Sequence, residues 1–427
     1  MRARVGTAFG RRRTAGLAVA CVWIVACACS GVSGLRPGGG PGGARGPVKV
    51  ALVDVLGGPS GYASLGQDVQ NSLQIEIDQL NAHGGLLGSP VQLVTFDDQY
   101  SPATTAAVTR QAVADPAVRL LVGPSFAGLY LGAKPLVDQH GVPNCLTSMD
   151  ADDVMANAPF SFREQEPARA RIPALLGYIQ KSTQLKKIGL ISEEDSVGQD
   201  ADQELTDLAG RYGLQYIGAA FTTTAPDQKA QVQQMLQRGA DAVLVSENPA
   251  TAGRTLQAIA QLKAGARLHP FGLNALGPAG LGSYSFAQQV GDPAGGLVFA
   301  SSILDYLSDL PDARWPLAYH DFARTALSRF PPTAGGDMRA VAAGAQCVSD
   351  WARAVLAANS LDGTLVARAW ERLDVPATES MLGVHERFSP ADHDAVPPDS
   401  MFFYQWVKNG DRWGLKRLAG PAAVPPG

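Results

Sequence analysis

VKVALVDVL at residues 48–56, followed by GGPSG at 57–61, decides how the rest of the chain is read. A near-continuous apolar run closed by glycine and proline is what a parallel strand covered on both faces requires. Outward from it, Val69, Leu73, Ile77 and Leu80 fall on one face of a helix predicted over Asp68 to Ala82, and His83-Gly84-Gly85 stops it. Pro90 to Phe96 reads as the next strand. Ser101-Pro102 caps and opens the next helix, and Val118 to Val122 is a strand ending in Gly123-Pro124-Ser125.

The same alternation returns further along. A helix carrying Ile172, Leu175, Leu176 and Ile179 precedes a strand at Lys187 to Ile191. Helices from about Gln199 to Tyr212, Gln228 to Arg238 and Thr251 to Leu262 then alternate with strands at Tyr216 to Phe221 and Ala242 to Val245. Two successive β-α series predict an α/β chain with two doubly wound parallel sheets. The tail differs: an Ala-rich helix over Val341 to Asn359, another around Leu365 to Leu373, strands at Glu386 to Phe388 and Met401 to Val407, and an Asn409-Gly410 turn of hairpin type.

Before this body lies a different kind of sequence. Arg2, Arg4 and Arg11-Arg12-Arg13 are followed by 14 small or apolar residues, Ala15 to Ala28, too few for a bilayer span of about 20. Residues 1–28 therefore read as an export signal. Small residues before Cys27, and before Cys29, resemble a bacterial lipobox, with Cys27 preferred as the lipidated residue because an aliphatic side chain stands three positions before it. Residues 29–47, rich in Gly and Pro, suit a flexible tether. The body is expected outside the cytoplasmic membrane, held to it by lipid.

Composition narrows the function. The chain has 427 residues, 46% hydrophobic and 17% charged, with net charge −4. The five arginines of the leader are unaccompanied by acid, so the remainder carries 30 basic against 39 acidic side chains. An acidic body lacks the clustered cations that bind a phosphate backbone, which excludes nucleic acid as a partner. Cys145 and Cys347 each sit in an apolar stretch and read as two buried thiols, with a disulfide as the alternative, since spacing does not give their distance. No phosphate-binding loop, zinc-protease helix, nucleophile elbow or paired Cys-x-x-Cys appears, so no catalytic residue, metal or cofactor is expected. His385 and His393, with Asp392 and Asp394, read as solvated loop residues, and Asp97-Asp98 as structural charges beside a helix N-terminus.

In open parallel sheets, ligands sit beyond the carboxyl ends of the strands, among loops and helix N-termini. Those loops hold short polar hydrogen-bonders, Ser125, Thr147, Ser148, Asp150, Glu193, Asn248 and Asn274. They suit holding a small polar molecule without reacting with it.

The order and spacing of several motifs resemble the branched-chain amino acid (Leu/Ile/Val-type) substrate-binding proteins of ABC importers. They are Gly57-Gly-Pro-Ser-Gly, Ile77-Asp-Gln-Leu-Asn81 leading to Gly88 and Asp97-Asp98, Val122-Gly123-Pro124-Ser125, His140-Gly141-Val142-Pro143, Phe162-Arg163, Gly239-Ala-Asp241 and Asn409-Gly410-Asp411. The resemblance spans about residues 48 to 415. It implies a type I periplasmic-binding fold, two Rossmann-like lobes joined by a three-strand hinge, with crossings near 163–168, 297–302 and 386–396. The lobes expected are 48–165 with 300–388, and 166–299 with 389–420.

Carried over residue by residue, the resemblance places the ligand near Tyr62, Ser125, Ala127, Gly128, Ser148, Asp150, Val197, Asn248 and Asn274. The family's carboxylate-holding serines become Ala127-Gly128-Leu129, its second-lobe tyrosines Val197 and Asn248, and its ammonium-binding acid Asn274. Asp150, from the opposite lobe, is a candidate replacement for that acid. The implied partners are a small-molecule ligand, an ABC permease and the membrane, with the chain a monomer. A sensor of the same fold without transport is the second reading, and an enzyme on this scaffold the third.

Overall fold

The computed structural model of the protein describes residues 46–57, 62–147, 153–222, 227–245, 248–273, 280–302, 304, 317–330, 338–397 and 400–419. Cys27, Cys29, Ser148, Asp150 and Asn274 lie outside them, as does nearly all of the tether.

The apolar run at the start forms β1 (Val48–Asp54), an interior strand of a five-stranded parallel sheet in the order β2-β1-β3-β4-β5. Its partners are β2 (Val91–Asp97) and β3 (Val118–Val122), with Val50 level with both Leu93 and Leu120. Short strands β4 (Asn144–Leu146) and β5 (Ser161–Arg163) complete the sheet. Leu52 and Val53 are fully buried, consistent with cover on both faces. Helices α1 (Ala63–Ala82), α2 (Pro102–Ala114) and α3 (Ala127–His140) make the connections. The Oγ of Ser101 accepts from Thr104 N at 3.3 Å, with Pro102 in the first turn, the capped start the sequence predicts.

The second sheet has seven strands in the order β14-β13-β10-β9-β8-β6-β7. Its parallel part alternates α4 (Ala168–Ser182), β6 (Lys187–Glu193), α5 (Ser196–Leu208), β7 (Gln215–Thr222), α6 (Lys229–Gln237), β8 (Ala242–Val245), α7 (Pro249–Gln261), β9 (His269–Gly272), α8 (Tyr284–Val290) and β10 (Val298–Ser301). The tail hairpin, β13 (Phe402–Asn409) and β14 (Arg412–Ala419), adds antiparallel to β10 and turns at Gly410, φ +64°. The second sheet is thus mixed, where the sequence predicts a parallel one. A hairpin strand can pair antiparallel with an edge without a crossover helix.

Between β10 and β13 in the chain come α9 (Leu317–Arg329), α10 (Met338–Ala358), α11 (Gly363–Trp370) and a small ladder of β11 (Asp374–Val375) and β12 (Glu386–Arg387). The Ala/Gly-rich face of α10 packs on α1. The chain passes between the two sheets three times, after β5, after β10 and between β12 and β13.

Two expectations are corrected here. Cys145 on β4 and Cys347 on α10 form a disulfide, 202 residues apart in sequence, not two thiols. Packing of α10 against the first sheet brings their Cα atoms to 5.8 Å, within bridging range. Nor are His393 and Asp394 solvated. Phe162 is stacked between Trp370 (4.4 Å) and His393 (4.5 Å), and Asp394 is 6% exposed against Arg163. His385 does stay exposed, hydrogen-bonded to Asp374.

Candidate binding cleft

β1 carries a single acid, Asp54, at its carboxyl end, and it is fully buried. The hydroxyl of Ser125, from the loop after β3, donates to its Oδ2 at 2.6 Å, and Val55 N donates to Oδ1 at 2.9 Å. Gly123, at φ +86°, makes this approach possible: a Cβ there would stand 2.2 Å from the carbonyl oxygen of Val53. Burial pushes the Asp54 carboxyl up to about 7, against the hydrogen bonds from Ser125 and Val55 that pull it down. Ser125 is itself 1% exposed, so its hydroxyl serves this internal bond.

At the same end of the sheet three rings meet, one from the loop after each of β1, β2 and β3. Tyr62 stands 5.2 Å from Tyr100 and 4.8 Å from Phe126, and Tyr100 is 5.0 Å from Phe126. Tyr100 remains 43% exposed. The neighbouring acids are structural, as expected: Asp97 accepts from Leu56 N and Gln99 N, and Asp98 from Tyr100 N.

Ala127 and Gly128 form the first turn of α3, and the residue in the cap position, Phe126, makes no side-chain cap bond. The first-turn N–H groups of a helix lack intrahelical partners. Nothing from the cap side chain meets those of α3. The corresponding helices of the second sheet differ. Asp195 caps α5 by accepting from Gly198 N at 2.9 Å, with Val197 in its first turn. Asn248 caps α7 through Oδ1, accepting from Ala250 N at 2.9 Å and Thr251 N at 3.4 Å. The structure thus gathers Tyr62, Ser125, Ala127 and Gly128 at one sheet edge, and Val197 and Asn248 at the edge of the other.

The passages between the sheets carry buried charge. Arg163 Nε donates to Asp394 Oδ1 at 2.6 Å and Nη2 to Oδ2 at 2.9 Å, a two-pronged pair with the arginine fully buried. Arg169, from α4, also meets Asp394 and donates to Asp392 at 2.8 Å. Backbone bonds from Arg163 N to His393 O and from Ala395 N to Arg163 O run alongside. These arginines hold the Asp394 carboxyl below its usual range despite burial.

This architecture of two α/β sheets and three passages is matched by sequence. A family model for periplasmic binding proteins covers residues 47–411. The chain belongs to that family. It is of the type I class, with the Leu/Ile/Val-binding type among its relatives. The binding protein is 22% identical over 263 residues to the Leu/Ile/Val-binding protein BraC3 of Rhizobium johnstonii, 61% of this chain and 68% of that one. Its fold is similar to the branched-chain amino acid transporter substrate-binding protein LivJ of Streptococcus pneumoniae, solved with isoleucine. That likeness has TM-score 0.62 and 19% identity, covering 87% of this chain and 99% of the other. A solute-binding protein from R. palustris, solved with 4-hydroxybenzoate, has TM-score 0.67 and 15% identity, covering 89% and 98%.

Sequence reasoning missed Asp54, Tyr100 and Phe126. A lone acid inside an otherwise apolar strand was the available signal for the first. The two rings stood next to positions already singled out, Asp97-Asp98 and Ala127, and nothing in the order of residues told that they would converge.

Proposed function

We propose that this binding protein captures a small polar ligand, an amino acid or related compound, between two lobes and delivers it to an ABC importer from the outer face of the membrane, anchored through lipid on Cys27 or Cys29. The lobes run over 48–165 with 300–388 and over 166–299 with 389–420. The observation that carries this reading is the uncapped first turn of α3, Ala127-Gly128, opening beside Tyr62 and Phe126. Backbone N–H groups there suit a ligand carboxylate, whose charge the helix dipole also favours. Tyr62 and Phe126 supply an apolar wall, and Asn248, Val197, Ser148, Asp150 and Asn274 complete the enclosure. Closure would withdraw the ligand from water and present a distinct shape to the permease.

Thermal unfolding of the full chain against amino acids, their amides, organic acids and aromatic acids tests this. A native-state ligand at a hundredfold excess over Kd stabilises by about 2.7 kcal/mol. The expected outcome is a shift for one class of carboxylates and none for the matching amides. A flat screen, or shifts that ignore the carboxylate, would overturn the reading.

A further inference from the structure

Three carboxyl groups meet in the interior where two passages between the sheets run past α10. Glu164 directly follows β5, Glu386 opens β12 and Asp350 lies on α10. None is more than 2% exposed, and their oxygens lie within 4.8 Å of one another. Gln346, one turn earlier on α10, donates through Nε2 to Asp350 Oδ1 at 2.8 Å and Glu386 Oε2 at 3.3 Å. Its own Oε1 accepts from Met381 N at 2.8 Å. One oxygen of each carboxyl is left with no donor: Glu164 Oε2, Asp350 Oδ2 and Glu386 Oε1.

The surroundings offer little positive charge. On α10, Arg353 Nε is 3.8 Å from Asp350 Oδ1, but its Nη1 is committed to Glu379 at 2.9 Å. From α1 comes Glu76, a half-buried acid facing Arg353, pushed up to about 7 by desolvation. From the third passage comes Asp394, already taken by Arg163 and Arg169. From β4, Cys145 Sγ stands 3.9 Å from Glu164 Oε1, and a disulfide sulfur has no proton to give. Ser380 bonds to Glu386. Three ionised carboxylates packed this closely, away from water, would repel strongly and go unsolvated. Protons remove the conflict, because a protonated carboxyl donates to its neighbour and both orphaned oxygens gain a partner. A hydrogen bond between the Asp350 and Glu386 side chains requires one such proton.

We propose that Glu164, Asp350 and Glu386 form a shared-proton latch that binds the first and third passages to α10 while protonated and loosens them when the protons leave. Burial and mutual charge push the Glu164 and Glu386 carboxyls well up, and burial raises Asp350. The sign follows: the folded state holds protons the unfolded chain releases, so stability is full in acid and falls as pH rises.

The test is thermal unfolding of the full chain between about pH 5 and about pH 8. Glu164→Gln and Glu386→Gln are each made in a D54N/E76Q background, which removes the two other carboxyls pushed up to about 7, and compared with that background alone. The expected result is a decline of several degrees in the background protein, flattened by each additional variant. If the variants decline just as the background does, the latch is overturned. If millimolar calcium at high pH restores the background protein's melting temperature but not the variants', the cluster is a cation site and the proton reading is overturned. Should the variants fail to fold, the background protein's infrared spectrum decides. A protonated-carboxyl stretch persisting near neutral pH supports the latch, and its absence overturns it.

Discussion

Asp54 shows how much one buried bond can carry. Its carboxyl is out of water and has Ser125 Oγ and Val55 N for donors. Ser125→Ala would remove the hydroxyl donor and leave the buried carboxyl only backbone N–H partners, a loss of about 1–3 kcal/mol. Because the carboxyl ionises at about 7, the loss should be larger at pH 8 than at pH 5 in urea unfolding. The sign is that of an acid raised by folding: its stability is present in acid and lost as pH rises through the folded value. Arg163 makes the opposite case, since Asp394 keeps its charge. Arg163→Ala would remove the buried two-pronged partner and leave Asp394 only the half-exposed Arg169, so the loss should fall at or below the low end of the about 3–5 kcal/mol that breaking a buried pair costs. Asp394→Asn keeps one acceptor but leaves the fully buried Arg163 cation without its carboxylate, so it should cost at least as much, and paired unfolding curves would show it. At this scale the sequence was partly legible. Ser125 was readable as a polar loop residue, but its partner lies 71 positions away and could not be read as one.

Elements were legible where local chemistry decides them. Ser101-Pro102 announced α2 and the Asn409-Gly410 pair announced the terminal hairpin, because caps and turns satisfy backbone groups within a few residues. The start of α1 was read late: it begins at Ala63, five residues before the predicted Asp68, and the buried Leu65 already continues the four-residue spacing of Val69 and Leu73. The fit of α10 against α1 was not legible at all. A Cβ on Gly344 would stand 2.2 Å from Ser72 Oγ and 3.3 Å from Val69 Cγ1. Gly344→Ala should therefore destabilise by about 1–3 kcal/mol, against the usual helix preference for alanine, and a lowered denaturation midpoint would show it. The disulfide joins this helix to β4 across a long loop, so Cys347→Ser should cost about 2–5 kcal/mol. The same loss should follow when wild type is unfolded in reductant, and no loss in reductant would mean the bridge does not form.

For the whole molecule, the decisive feature is that two sheets share one chain through three passages, with ion pairs and carboxyls buried beside them. A ligand held between the sheet edges would favour the closed arrangement, and small-angle scattering of the full chain should then show a smaller radius of gyration with ligand than without. The order of strands and helices, the two-sheet class and the polar loops at the carboxyl ends of the strands were set by the sequence itself, since hydrophobic periodicity and capping act over a few residues. The Cys145–Cys347 bridge, the stacking of Phe162 between Trp370 and His393, the Arg163–Asp394 pair and the Glu164–Asp350–Glu386 cluster were decided only by tertiary structure. In each, the partners are far apart in the chain and meet only because the first sheet, the passages, α10 and α11 pack together, so burial, and with it protonation and pairing, is a property of the packed molecule.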